Sequence, residues 1–153
     1  MNKIEVQTVF SSPGQPDQVQ LQQWVDAALQ GYGQDTEIVI RTVGVQESAQ
    51  LNKQYRHKSG PTNILSFPAH LPEGTGLNLL GDLVVCVPVL EREAIEQDKP
   101  LSHHWAHIII HGVLHLLGYD HLNDVDADIM EAKEITILKA LNISNPYLEA
   151  TQP

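Results

Sequence analysis

The chain has 153 residues, 42% of them hydrophobic and 18% charged, with a formal net charge of -10 and one cysteine. That length holds one sizeable core and excludes two ordinary ones, and the composition excludes a disordered or fibrous chain. The negative charge excludes wholesale electrostatic adhesion to nucleic acid, because affinity for phosphates comes mainly from Lys and Arg displacing counterions, and Cys86 alone excludes an internal disulfide.

The N-terminal MNKIEVQTVF alternates apolar and polar residues, which predicts a strand over Lys3 to Phe10 and lacks the continuous apolar core of a signal peptide. Pro16-Asp17 opens an amphipathic helix whose core face would carry Val19, Trp24, Ala27, Ala28 and Leu29, with Gly31 and Gly33 ending it. Thr36 to Val43 is rich in β-branched residues and predicts a second strand; Gln46 to Tyr55, built of helix formers, predicts a second helix. Arg41, Lys53, Arg56, His57 and Lys58 supply much of the small positive inventory, which reads equally as a local site for a polyanion or as a solvated face.

Asn63 to Phe67 and Asp82 to Val87 follow Gly60-Pro61 and Gly81 respectively and predict two further strands joined by a long Pro/Gly-bearing loop. Pro88 suits the first turn of a helix through about Gln97, and Pro100 precedes another running to Leu117. Asn123, with Asp126 three residues on, resembles an N-cap for a last helix with Val125, Ile129, Ala132, Ile135, Leu138 and Leu141 as its core stripe. The run LNLLGDLVVCVPVL is broken by Asp82 and Pro88 and falls short of the roughly 20 residues that cross a bilayer. The expectation is a soluble cytoplasmic protein with no membrane partner. Its fold class is α+β (α/β-like): a single domain over residues 1–153, a mixed sheet of about four strands covered by helices, and a metal site on a helix of the C-terminal half.

That site is expected where the histidines cluster, six of eight falling within LSHHWAHIIIHGVLHLLGYDH between residues 103 and 121. Residues four apart on a helix are offset by roughly 40° and about 6 Å, so His111 and His115 project from one face as neighbours. Gly118 can take the left-handed conformation that ends a helix, after which Tyr119 and Asp120 swing His121 back toward the same point. Three neutral imidazoles suit Zn²⁺ and leave its fourth tetrahedral position for water or substrate, the arrangement of hydrolytic rather than closed structural sites.

His107 extends the stripe in an outer or packing role, His103 and His104 read as surface residues, and Asp120 reads as orienting an imidazole or capping the helix. Gly112 occupies the position where HExxH peptidases carry their general base, which argues against peptide hydrolysis. It reads either as close helix packing or as room above the ion.

Taken together, LNKQYRHKSGPTNILSFP (51–68), LGDLVVC (80–86) and HGVLHLLGYDH (111–121) resemble the YbeY family of bacterial rRNA-processing endoribonucleases, in consistent order over most of the chain. The resemblance implies a single-strand-specific, zinc-dependent endoribonuclease acting in 16S rRNA 3′ end maturation and ribosome quality control. It implies one Zn²⁺ per chain on His111, His115 and His121, and Arg56 as the catalytic arginine. Taken alone, Arg56 reads as well as a solvated residue after a helix; with the family pattern, its guanidinium suits the charge that builds on phosphoryl oxygens during cleavage. Asn63 and Ser66 either bond RNA or satisfy their loop. Expected partners are single-stranded RNA and small-subunit rRNA, with ribosomal proteins possible and no DNA. The competing function is a ribosome-assembly binding protein with a structural zinc, whose acidic surface would dock a basic ribosomal protein.

Overall fold

Four segments form the strands of one sheet: β1 (Asn2–Thr8), β2 (Thr36–Val43), β3 (Ile64–Pro68) and β4 (Leu79–Cys86). The computed structural model describes residues 1–69, 78–120 and 122–147. The strand order is β1-β2-β4-β3, with β1, β2 and β4 parallel and β3 antiparallel on the edge, pairing Ile64 with Val85 and Pro68 with Gly81. The sheet is therefore mixed and four-stranded, the expected α+β arrangement. Residues 70–77, within the predicted Pro/Gly loop, lie outside the described residues. Gly81 sits beside a register irregularity at the start of β4 with φ +154°, where a Cβ would lie 2.4 Å from the Phe67 carbonyl oxygen. A side chain is excluded there by sterics as well as by backbone conformation.

The helices are α1 (Gln18–Ala28), α2 (Val45–Arg56), α3 (Val87–Glu96), α4 (Leu101–Leu116) and α5 (Asp124–Ala140). α1 starts on a reciprocal capping box between Asp17 and Gln20, and α3 carries Pro88 in its first turn. Asn123 caps α5 as expected, its side chain accepting from the Asp126 amide at 2.9 Å. Among the described residues no helix is long and apolar enough to cross a membrane.

α4 is apolar nearly all round, and such a helix must be surrounded. Ten of its sixteen residues are buried, which makes it the central helix, packed against the sheet and against α1, α3 and α5. Leu83 and Val85 of β4 join the large cluster around Trp105, Ile109 and Leu114, while Val84 and Cys86 join a smaller cluster with Val43, Leu65 and Leu51 of α2. Adjacent β4 residues thus feed two clusters, as the alternation of a strand covered on both faces requires.

Three sequence expectations need correction. Val19 is 77% exposed, and Leu21 and Val25 take its place on the buried face of α1. On α5, Val125, Ile129 and Ala132 are exposed, and the buried face runs through Met130, Glu134, Ile137 and Leu138. Both sets obey helical spacing; the second wins because the buried carboxylate in its middle finds two hydrogen-bond donors on α4. His104, expected at the surface, is 2% exposed and donates from Nε2 to Glu93 Oε1 at 2.9 Å.

Candidate metal centre and substrate cleft

α4 meets solvent along one narrow strip, where His111 and His115 interrupt its apolar surface. Four residues apart, they hold their rings 4.7 Å centroid to centroid and nearly perpendicular. Both line a cavity of about 590 Å³ whose wall also carries Tyr55, Arg56, Asn63, Ser66 and Asp120. The fold thus brings Arg56, His111 and His115 to one cleft, although α2 and α4 lie far apart in sequence. His121 lies outside the described residues. α4 ends at the expected glycine: Gly118 has φ +103°, and Tyr119 N–H donates back to the Leu114 carbonyl at 3.0 Å.

Behind the strip sits Glu134, wholly buried on α5. Its carboxylate accepts from His111 Nδ1, from His107 Nε2 at 3.1 Å and from the Tyr147 hydroxyl. Burial alone would raise its pKa, but these three donors and the charge of His111 outweigh that and hold it at about 2. Burial, with the hydrogen bond to Glu134 in second place, pushes the Tyr147 phenol up; burial also pushes His107 down against the pull of Glu134. His107, His111 and Glu134 place one ligand-type atom each within 4.8 Å of one another, close enough to hold a metal ion. The cavity wall, however, carries His111 and His115 and neither His107 nor Glu134.

α2 is tied to the segment that leads into β3 by its own polar residues. Ser48 Oγ donates to the Thr62 carbonyl and accepts from the Thr62 amide, both at 3.0 Å, and Asn52 Nδ2 donates to the Gly60 carbonyl at 2.9 Å. His57 ends the helix in the left-handed conformation, φ +57°, immediately after Arg56. Arg41 is drawn away into a two-point pair with Glu47, so of the five basic residues noted in the sequence Arg56 is the one that lines the cavity.

Asn63 donates to Glu93 at 3.3 Å, inside the network that also holds His104, and Ser66 Oγ donates to the Gly112 carbonyl at 3.2 Å. Gly112 itself resolves toward packing. It is buried, and a Cβ there would lie 2.6 Å from Ile64 Cδ1 and 2.9 Å from Leu83 Cδ2, so α4 rests directly on β3 and β4. Glu134 and Tyr147 are the residues that sequence reasoning missed. The available signal was a single acidic residue at helical spacing between Met130 and Leu138, in the middle of an apolar face.

The chain resembles known proteins over most of its length. The sequence profile of the family described as Endoribonuclease YbeY matches residues 8–142. The protein named Endoribonuclease YbeY from Colwellia psychrerythraea is 53% identical over 150 residues, covering 95% of this chain and 97% of the relative. Its counterpart of the same name from Methylococcus capsulatus is 53% identical over 139 residues, 91% of each chain. A solution structure of a Thermotoga maritima protein, 20% identical, superposes with a TM-score of 0.59 over 100% of this chain and 99% of that one, a likeness of fold.

Proposed function

The chain belongs to the YbeY endoribonuclease family, and from that premise we propose that it is a zinc-dependent endoribonuclease of unpaired RNA, acting in 16S rRNA 3′ end maturation and ribosome quality control in the cytoplasm. All 153 residues serve as one metallohydrolase domain. The observation that carries the reading is that Arg56 and the His111–His115 pair line one cavity.

The residues fit zinc by their chemistry. His111 and His115 are neighbouring imidazoles facing a cleft, and a buried carboxylate holds Nδ1 of His111, which fixes the tautomer that presents Nε2 as a ligand. His121, two residues beyond the Tyr119 that follows the terminating glycine, is the third ligand of the proposal. Zinc bound there would supply a Lewis acid and a water acidic enough to ionise near neutral pH. Arg56 then does the chain's own electrostatic work: its planar guanidinium takes two phosphoryl oxygens at once and holds the charge that develops on them. Glu134 stays ionised at neutral pH and keeps His111 oriented throughout.

A second metal reading, with His107, His111 and Glu134 as the ligands, is favoured by their mutual spacing. Against it stands burial: an ion seated behind the imidazoles would have no cleft in which to meet a phosphodiester. The function is tested with metal-loaded protein and an unstructured RNA oligonucleotide, whose product ends are mapped. Cleavage that is lost in Arg56→Ala with metal content retained supports the reading; intact RNA, or equal cleavage by both proteins, overturns it. A cyclic phosphate end would assign attack to the RNA 2′-hydroxyl, and a 5′-phosphate facing a free 3′-hydroxyl would assign it to water.

A further inference from the structure

The cleft holds more than imidazoles and a guanidinium. Tyr55, next to Arg56 at the end of α2, and Phe67 of β3 line the same cavity. Their ring centroids are 5.2 Å apart with planes at 74°, the edge-to-face geometry that aromatic quadrupoles prefer. Phe67 is half-buried and packs on the smaller apolar cluster, whereas Tyr55 is 56% exposed. Anchored on one side by the core, such a pair forms a corner in which the face of one ring and the edge of the other bound the same space. A large aromatic surface left open beside a phosphate-holding arginine calls for a planar partner.

We infer that Tyr55 and Phe67 form a stacking corner for one unpaired nucleobase of the RNA, that of the nucleotide whose phosphate Arg56 holds. The inference rests on the endoribonuclease reading and deepens it. Two observations and one general property of single strands converge on a base rather than on sugar or phosphate. A cavity of about 590 Å³ is far larger than a phosphate needs and lies in the range of sites that enclose whole small ligands. Bases in a single strand offer free π-faces, and single strands are read by stacking on Tyr and Phe. The net charge of -10 leaves little general attraction for phosphates, so binding must draw on a contact that does not depend on ion release. Every base has a π-face, so the corner selects unpaired over paired nucleotides with little preference among the four bases.

The test is a steady-state comparison of metal-loaded wild type, Tyr55→Ala and Tyr55→Phe on a short unstructured RNA. The substrate is scanned with a single abasic nucleotide through the positions around the cleavage site. Tyr55→Ala should raise KM about 10-fold, the size of one lost base stack, with little change in kcat, and Tyr55→Phe should restore it. In wild type, one abasic position should cost a similar factor in KM and should cost Tyr55→Ala nothing further. An unchanged KM in Tyr55→Ala, an abasic loss that multiplies with the Tyr55 loss, or a wild-type scan in which no position matters overturns the corner. The wild-type scan decides the matter even if Tyr55→Ala misfolds. RNA left intact by wild type would instead bring down the endoribonuclease reading and the corner with it.

Discussion

Replacing Glu134 by Gln separates the two metal readings. The substitution keeps the size of the side chain and one carbonyl acceptor but removes the charge. It also puts an amide donor where Glu134 now accepts from His107, His111 and Tyr147. With its pKa held at about 2, the carboxylate prefers its charged form in place, so the substitution carries an electrostatic loss. Only part of that loss reaches the ion if Glu134 acts through His111. Removing an outer carboxylate of this kind weakens metal binding by about 10- to 100-fold.

The assay is competition of zinc against a chromophoric chelator, read beside elemental analysis, for wild type, Glu134→Gln, His107→Ala and His115→Ala. With zinc on His111, His115 and His121, Glu134→Gln should lose about 10- to 100-fold and His107→Ala should lose less. His115→Ala should be purified without stoichiometric metal. The reasoning is refuted if His115→Ala retains full affinity while His107→Ala and Glu134→Gln both lose the ion, for then the metal sits behind the imidazoles.

Three further expectations follow from the same geometry. Arg56→Lys should lower kcat/KM by about 100-fold at unchanged zinc content, because an ammonium cannot reproduce a two-point clamp; near-wild-type cleavage by the Lys variant would show a simple point charge to be enough. Gly112→Ala should lower stability by about 1 kcal/mol in thermal or denaturant unfolding. Crowding of Ile64 and Leu83, about 1–3 kcal/mol, exceeds the roughly 1 kcal/mol that alanine gains in a helix, and a raised Tm would contradict the packing role. Glu93→Gln should cost about 1–2 kcal/mol near neutral pH. Burial raises the Glu93 carboxyl, but hydrogen bonds from His104 and Asn63 outweigh it and leave the group below the usual carboxylate range. A depressed carboxyl stabilises the fold while ionised and loses that contribution as pH falls through its folded pKa. The gap between Glu93→Gln and wild type should therefore narrow on acidification, as followed by denaturant titration at several pH values, and a gap constant with pH would remove Glu93 from the network.

What the sequence determined by itself was local. Apolar/polar alternation marked β1, β-branched residues marked β2 and a short apolar run after Gly81 marked β4, Pro88 and Asn123 marked helix starts, and the spacing of His111 and His115 placed two imidazoles on one face, because backbone sterics and helix geometry act within a few residues. Tertiary structure alone decided what those faces meet. The α5 register was undetermined because two stripes sharing Leu138 both obey helical spacing, and only the hydrogen bonds from His107, His111 and Tyr147 make the buried carboxylate acceptable in the core. The sequence alone marks His104 as a surface residue, and only the packing of α3 beside α4 brings Glu93 to receive it. Gly112 is ambiguous in sequence, and only the approach of Ile64 and Leu83 assigns it to packing. The meeting of Tyr55 and Arg56 with the histidines of α4 joins residues more than fifty positions apart, and it exists only because α2 and α4 reach one cleft at the β3 edge of the sheet.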